Sequence, residues 1–210
     1  MKFVLPKIYP ITDTAISGLS HAEQVKRLIA GGARVIQLRD KTASSGAFYR
    51  SSVEALGIAA DSGCSIIIND RVDIAYTAGA SGVHLGQDDM PAISVREKFG
   101  EEFVIGISTH SPEQVLTALC SPVDYIAIGP IFQTSTKAPT SPTVGIEGIQ
   151  KARALTSIPI VAIGGIDILD LHHIFGAGAD AAAVIERILR YPEQITKQMK
   201  DFNGEASRSY

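Results

Sequence analysis

Cysteine is scarce in this chain: Cys64 and Cys120 are the only two in 210 residues. They stand far apart, without C-x-x-C spacing or a neighbouring histidine cluster, so neither a zinc centre nor a redox pair is indicated, and two buried, reduced thiols are expected. An excess of basic charge is also missing. Lys and Arg total 19 against 22 Asp and Glu, a net charge of -3, which leaves no general positive field to attract nucleic acid or an anionic membrane surface. An anionic ligand must therefore be met locally. No apolar run approaches the about 18 residues of a membrane span, and the opening stretch Met1 to Leu5 is cut short by Pro6 and Pro10, too soon for a signal-peptide core. A cytoplasmic location is expected, with no nucleic-acid or membrane partner; a homo-oligomer stays open.

What is present is ordinary for a globular protein with a substantial core, 45% hydrophobic and 20% charged, at a length that fits one large domain. Short runs rich in Ile and Val recur at Ile8 to Thr12, Val35 to Arg39, Ser65 to Asn69, Gly82 to Leu85, Val104 to Ser108, Tyr125 to Gly129, Ile160 to Gly164 and Ala181 to Ile185. Several are almost continuously apolar, the mark of parallel strands buried on both faces rather than half-solvated antiparallel ones. Helical segments lie between most of them, at 21–30, 46–62, 72–78, 112–119, 146–155, 169–175 and 191–202. Ser20 and Ser111-Pro112 supply start signals, and Gly31-Gly32, Gly79 and Gly176 to Gly178 supply stops. Repeated strand-helix units of this number predict a single-domain (β/α)8 TIM barrel over 1–202, with a loose polar tail at 203–210; an open doubly wound sheet is the alternative.

In such a barrel the residues just past each strand converge on one face. Asn69 and Asp70 follow the third strand and Gln87, Asp88 and Asp89 the fourth. Neighbouring strands lie about 4.8 Å apart, so a carboxylate from each can share one hard cation such as Mg2+; ending strands and capping helices is the plainer role for the same acids. Gln37, Arg39 and Lys41 alternate along an extended segment, where a guanidinium fork and an ammonium suit a pyrophosphate, unless the segment is a solvated turn. His84, inside its strand, reads as a core histidine with a satisfied hydrogen bond rather than as a catalytic base. Ser108-Thr109-His110 offers hydroxyls to a substrate, with His110 equally placed to cap a helix. The long loop Ile131 to Val144, carrying Thr134, Ser135, Thr136 and Lys137, reads either as a phosphate-binding lid or as disorder. Gly164-Gly165 and Ile185-Glu186 end the last two strands, where barrels commonly hold a phosphate with backbone amides.

Taken in order from Tyr9 to about Ile188, the motifs Gln37 to Lys41, Ile68 to Asp73, Gly82 to Asp89, Ser108 to His110, Gly129 to Phe132 with Thr134 to Lys137, and Ile163 to Ile166 closely resemble the thiamine-phosphate synthase family. The resemblance implies a TIM barrel that joins hydroxymethylpyrimidine diphosphate to hydroxyethylthiazole phosphate and releases pyrophosphate. It implies Asp70 and Asp89 as Mg2+ ligands, and Gln37, Arg39, Lys41 and Asn69 as contacts to the pyrimidine diphosphate. Ser108 is then placed near the pyrimidine and Lys137 on the pyrophosphate, so that Arg39, Lys41, Ser108 and Lys137 form the catalytic set. Thr134, Thr136, the backbone of Gly165 and the Ile185-Glu186 turn correspond to thiazole-phosphate contacts. Two positions depart from the family pattern: Glu186 stands where a Ser is usual, and Ala181 where a Gly is usual. A carboxylate aimed at a phosphate repels it. A thiazole tautomerase-like isomerase and a non-catalytic thiamine-precursor-binding protein are the competing functions.

Overall fold

Eight strands close into a barrel in chain order, each parallel to the next, with the last returning to the first. The computed structural model describes residues 3–134 and 142–208. Its strands are β1 (Ile8–Thr12), β2 (Val35–Leu38), β3 (Ser65–Asn69), β4 (Gly82–Leu85), β5 (Val104–Thr109), β6 (Tyr125–Ile128), β7 (Ile160–Ile163) and β8 (Ala181–Val184). Around them run α1 (Thr14–Ser17), α2 (His21–Ala30), α3 (Ser45–Ala59), α4 (Val72–Ala78), α5 (Ala92–Phe99), α6 (Pro112–Leu119), α7 (Gly145–Leu155), α8 (Leu171–Gly176), α9 (Glu186–Leu189) and α10 (Ile195–Ala206). The (β/α)8 expectation holds and the open sheet is excluded. No helix among the described residues is long and apolar enough to cross a membrane.

Both faces of each strand are covered, which is why alternation is absent from the sequence. One face, with Ile36, Leu38, Ile66 and Ile68, packs on the helices; the other, with Tyr9, Val35, Ile67 and Tyr125, fills the barrel. Filling depends on pairing large residues with small ones. Tyr9 is in register with Ala183, and Tyr125 with Gly106. A Cβ on Gly106 would come within 2.1 Å of the Tyr125 ring, so the phenol occupies the space a side chain at 106 would need.

The helix signals act as expected at several ends. The Ser20 and Ser111 side chains accept from the amides of Glu23 and Gln114, with Pro112 in the first turn. Three readings need correction. The helix α5 was not anticipated, because its buried face includes Arg96, which breaks the apolar periodicity; the guanidinium bonds the carbonyls of Gly100, Phe103 and Pro122 and the carboxylate of Asp124. The tail is not loose from 203: α10 continues to Ala206, since Ile195, Met199, Phe202 and Ala206 form one buried stripe and Asn203 donates to the Gly31 carbonyl. Of the two thiols expected to be buried, Cys64 is only partly so, and Cys120 is exposed, because it caps α6 on the outer layer.

The packing of Tyr125 against Gly106 predicts that Gly106→Ala destabilises the barrel by about 1–3 kcal/mol through overpacking. Urea unfolding measures this, and an unchanged midpoint would contradict the close approach.

Candidate functional site

The strand ends β2 to β5 bring most of the expected side chains to one rim. Asp70, just past β3, and Asp89, in the turn after β4, are neighbours. Burial pushes the Asp89 carboxyl above its ordinary value, and the adjacent Asp70 adds to that, against the lowering effect of the Gly86 amide and of Lys41. The Gly86 amide donates to Asp89 Oδ2 at 2.6 Å, which fixes the side chain in its turn. Asp70 has a backbone φ of +61, the one described non-glycine residue in the left-handed region, a conformation that costs about 1–3 kcal/mol and concentrates at functional sites. Its carboxylate is ion-paired with Lys41. Asp88 is exposed beside them.

The three residues Gln37, Arg39 and Lys41 do not share one direction. The β2 strand ends at Leu38, so alternation stops before Arg39. Gln37 points into the barrel and its Nε2 donates to the Tyr9 hydroxyl, while Lys41 swings across to Asp70. Arg39 crosses to β1, where Asp13 accepts from its guanidinium at 2.7 Å; both side chains are largely buried. Sequence reading missed Asp13, although it follows β1 as Asp70 follows β3. It also caps α1 by accepting from Ala15 and Ile16.

Behind this pair lies His21, at the start of α2. Its Nδ1 is 2.7 Å from the Thr12 hydroxyl, which also meets the Arg39 amide, and its buried Nε2 lies 3.6 Å from Asp40, with no hydrogen bond. Burial lowers the His21 pKa below the ordinary imidazole value despite the nearby Asp40 and Asp13 carboxylates.

Across the barrel, Asn69 and Ser108 face inward and are nearly buried. Thr109 turns the other way and donates to the Ala127 carbonyl, so only Ser108 of that pair faces the interior. His84 is a satisfied core histidine, with Nδ1 on the Tyr125 hydroxyl at 3.0 Å and Nε2 on the Ser108 hydroxyl at 2.9 Å. His110 does not cap α6, a role taken by Ser111; its ring is tied to the Gly129 carbonyl where the long loop begins. Gln87 donates to the Ser108 carbonyl and so joins the turn after β4 to β5.

The third sector is formed by the ends of β6, β7 and β8. The amides of Ile131 and Phe132 donate to the carbonyls of Ile163 and Gly164, which lays the start of the long loop over the end of β7. Gly165 has φ +65, and a Cβ there would stand 2.4 Å from the Gln133 carbonyl oxygen. Thr134 closes the described part of this loop; Ser135, Thr136 and Lys137 lie outside the described residues. Ile185 is partly buried against the barrel interior, and Glu186 opens α9 with its carboxylate 2.6 Å from the Arg190 guanidinium. Ala181 is fully buried inside β8.

Residues 8–188 match the family model described as thiamine monophosphate synthase. Among curated relatives, the thiamine-phosphate synthase of Methanoregula boonei is 42% identical over 189 residues, 90% of this chain and 88% of the relative. That of Chloroflexus aurantiacus is 39% identical over 184 residues, 87% and 85% of the two chains. A solved structure, thiamine phosphate pyrophosphorylase from Pyrococcus furiosus, is similar with a TM-score of 0.86 at 30% identity, covering 95% of each chain.

The lowered His21 pKa has a definite sign. The unfolded chain takes up this proton below about 6.5, before the folded chain does, so the His21 contribution is complete above that pH and is lost as pH falls towards the folded-state value. The denaturant midpoint of the wild type is expected to fall more steeply under mild acid than that of His21→Gln; parallel profiles would mean that His21 titrates normally.

Proposed function

The chain belongs to the thiamine monophosphate synthase family, and from that premise we propose that it transfers the pyrimidinylmethyl group of hydroxymethylpyrimidine diphosphate to hydroxyethylthiazole phosphate, yielding thiamine phosphate and pyrophosphate. The observation that carries this reading is the meeting of Asp70, Asp89 and Lys41 at adjacent strand ends, with Arg39 just past β2 on the same rim, paired with Asp13. Two carboxylates for a hard cation lie within reach of two side-chain cations for a diphosphate.

The donors fit Mg2+. They are carboxylate oxygens from Asp70 and Asp89, and the described residues contain no group of three or more His, Cys, Asp or Glu that would cage a metal unaided. Asp70 and Asp89 would hold the ion, with room left for substrate phosphate oxygens. When bound, it supplies positive charge to the leaving pyrophosphate. Arg39, Lys41 and, from the loop, Lys137 hold the diphosphate oxygens; Lys41 exchanges its contact with Asp70 for one with phosphate. Gln37, Asn69 and Ser108 orient the pyrimidine. Thr134, Thr136, the Gly165 backbone and the turn at Ile185 and Glu186 receive the thiazole phosphate.

With the substrates so held, the bond between the methylene carbon and the diphosphate oxygen breaks, and its electron pair leaves with pyrophosphate. The electron-rich aminopyrimidine spreads the positive charge left on the methylene. The thiazole nitrogen then donates its lone pair to that carbon and becomes quaternary. No side chain forms a covalent bond, and the protein's work is positioning and charge stabilisation in a cytoplasmic enzyme of small-molecule substrates.

Incubating both precursors with Mg2+ is expected to yield thiamine phosphate and pyrophosphate in equal amounts; folded protein that forms neither overturns the proposal. Asp89→Ala is expected to lower Mg2+-dependent turnover by roughly a hundredfold or more while the unfolding transition is retained. Near-normal turnover would remove Asp89 from the ligand set. Because the Glu186 carboxylate is ion-paired with Arg190, Glu186→Gln is expected to change the KM for thiazole phosphate by no more than about threefold. A tenfold fall in that KM would mean that the carboxylate opposes the phosphate.

A further inference from the structure

Five polar side chains cross the barrel interior in one unbroken series. Gln37 Nε2 meets the Tyr9 hydroxyl at 3.2 Å, Tyr9 meets the Tyr125 hydroxyl at 3.1 Å, Tyr125 meets His84 Nδ1 at 3.0 Å, and His84 Nε2 meets the Ser108 hydroxyl at 2.9 Å. None of the five is more than 8% exposed. The two ends, Gln37 and Ser108, are the residues assigned above to the pyrimidine; the three in the middle have no role in the chemistry described so far. We propose that Tyr9, Tyr125 and His84 are positioning residues that set the hydrogen-bond polarity of the pyrimidine subsite, so that Gln37 presents an acceptor and Ser108 a donor.

The order follows from counting protons. An amide nitrogen only donates, so the Tyr9 oxygen accepts from Gln37 and its single proton goes on to Tyr125. Tyr125 then donates to His84 Nδ1, which places the imidazole proton on Nε2, directed at the Ser108 oxygen. Two groups remain unspent within the series: the Gln37 carbonyl oxygen and the Ser108 proton. An aminopyrimidine edge presents an amino N–H beside a ring nitrogen lone pair, one donor and one acceptor, which complements that pair. Reversing any single link strands a buried proton or lone pair, so the ends are coupled and cannot change polarity independently. Burial pushes the Tyr9 hydroxyl up to about 12 and that of Tyr125 well above its ordinary value, which keeps both phenols neutral and each with one proton to give.

The assignment rests on Gln37 and Ser108 contacting the pyrimidine, and its test separates the two ideas. In histidine-labelled wild type, nitrogen NMR is expected to show the neutral His84 ring with its proton on Nε2 and a bare Nδ1; an Nδ1–H form overturns the polarity whatever the enzyme's activity. Tyr9→Phe and Tyr125→Phe each remove one hydroxyl from the series. Each is expected to raise the KM for pyrimidine diphosphate about tenfold with the KM for thiazole phosphate unchanged. An active wild type whose two variants keep the pyrimidine KM, or lose both KM values alike, overturns the positioning role. A wild type that forms no thiamine phosphate counts instead against the functional reading, and the imidazole result still judges the series.

Discussion

Two phenol hydroxyls and an imidazole sealed inside a closed barrel have no water to turn to, and an unmet buried polar group costs about 1–3 kcal/mol. The rim is arranged around how that demand is met. Tyr125 cannot reach Tyr9 and His84 unless β5 carries no side chain at Gly106, and Tyr9 is accommodated by the small Ala183 beside it. Satisfaction then runs outward to Gln37 and Ser108, the first polar groups at the open end. Filling the barrel and equipping its mouth are therefore one packing problem.

The charged side of the mouth follows a second constraint. A chain of net charge -3 that is to hold an anion must gather cations at one place and keep them from being scattered by their own repulsion. Asp13 holds Arg39 and Asp70 holds Lys41, so each cation waits beside an acid on a neighbouring strand end. The pairs differ in kind. Arg39 and Asp13 are largely buried and fixed by the α1 cap and by the Thr12 hydroxyl, which meets the Arg39 amide, whereas Lys41 is half exposed. A fixed guanidinium and a half-exposed ammonium suit a group that is bound first and released later.

The barrel was legible because strands buried on both faces lose alternation, and that loss shows in runs such as Ile66-Ile67-Ile68. What escaped was hidden by side chains with two natures. Arg96 lies on the buried face of α5 but satisfies four backbone and side-chain oxygens, so a charge at that position looked like a break in the helix pattern. Tyr9 and Tyr125 gave no signal of their own, since a phenol's polar end shows none until its partners are known. Asp13 carried the same signal as Asp70 and Asp89, an acid just past a strand, but stood alone rather than beside another polar residue. The fan of Gln37, Arg39 and Lys41 was over-read, because strand alternation holds only while the strand lasts, and β2 ends at Leu38.

The departure at Glu186 is best judged against Gly165, across the same end of the barrel. Backbone amides present themselves to a ligand whatever side chain they carry, provided that side chain can turn aside. Glu186 does so: its carboxylate is neutralised by Arg190 along α9, and a neighbouring pair, Arg187 with Asp167, ties that helix to the turn after β7. Gly165 has no such latitude, because its positive φ and the 2.4 Å approach to the Gln133 oxygen exclude any Cβ. A site built from main chain is thus sensitive to the residues that shape the chain and tolerant of those that only decorate it. On that physical ground a chain that keeps Gly165 and changes the residue at 186 keeps the main-chain geometry at this end of the barrel.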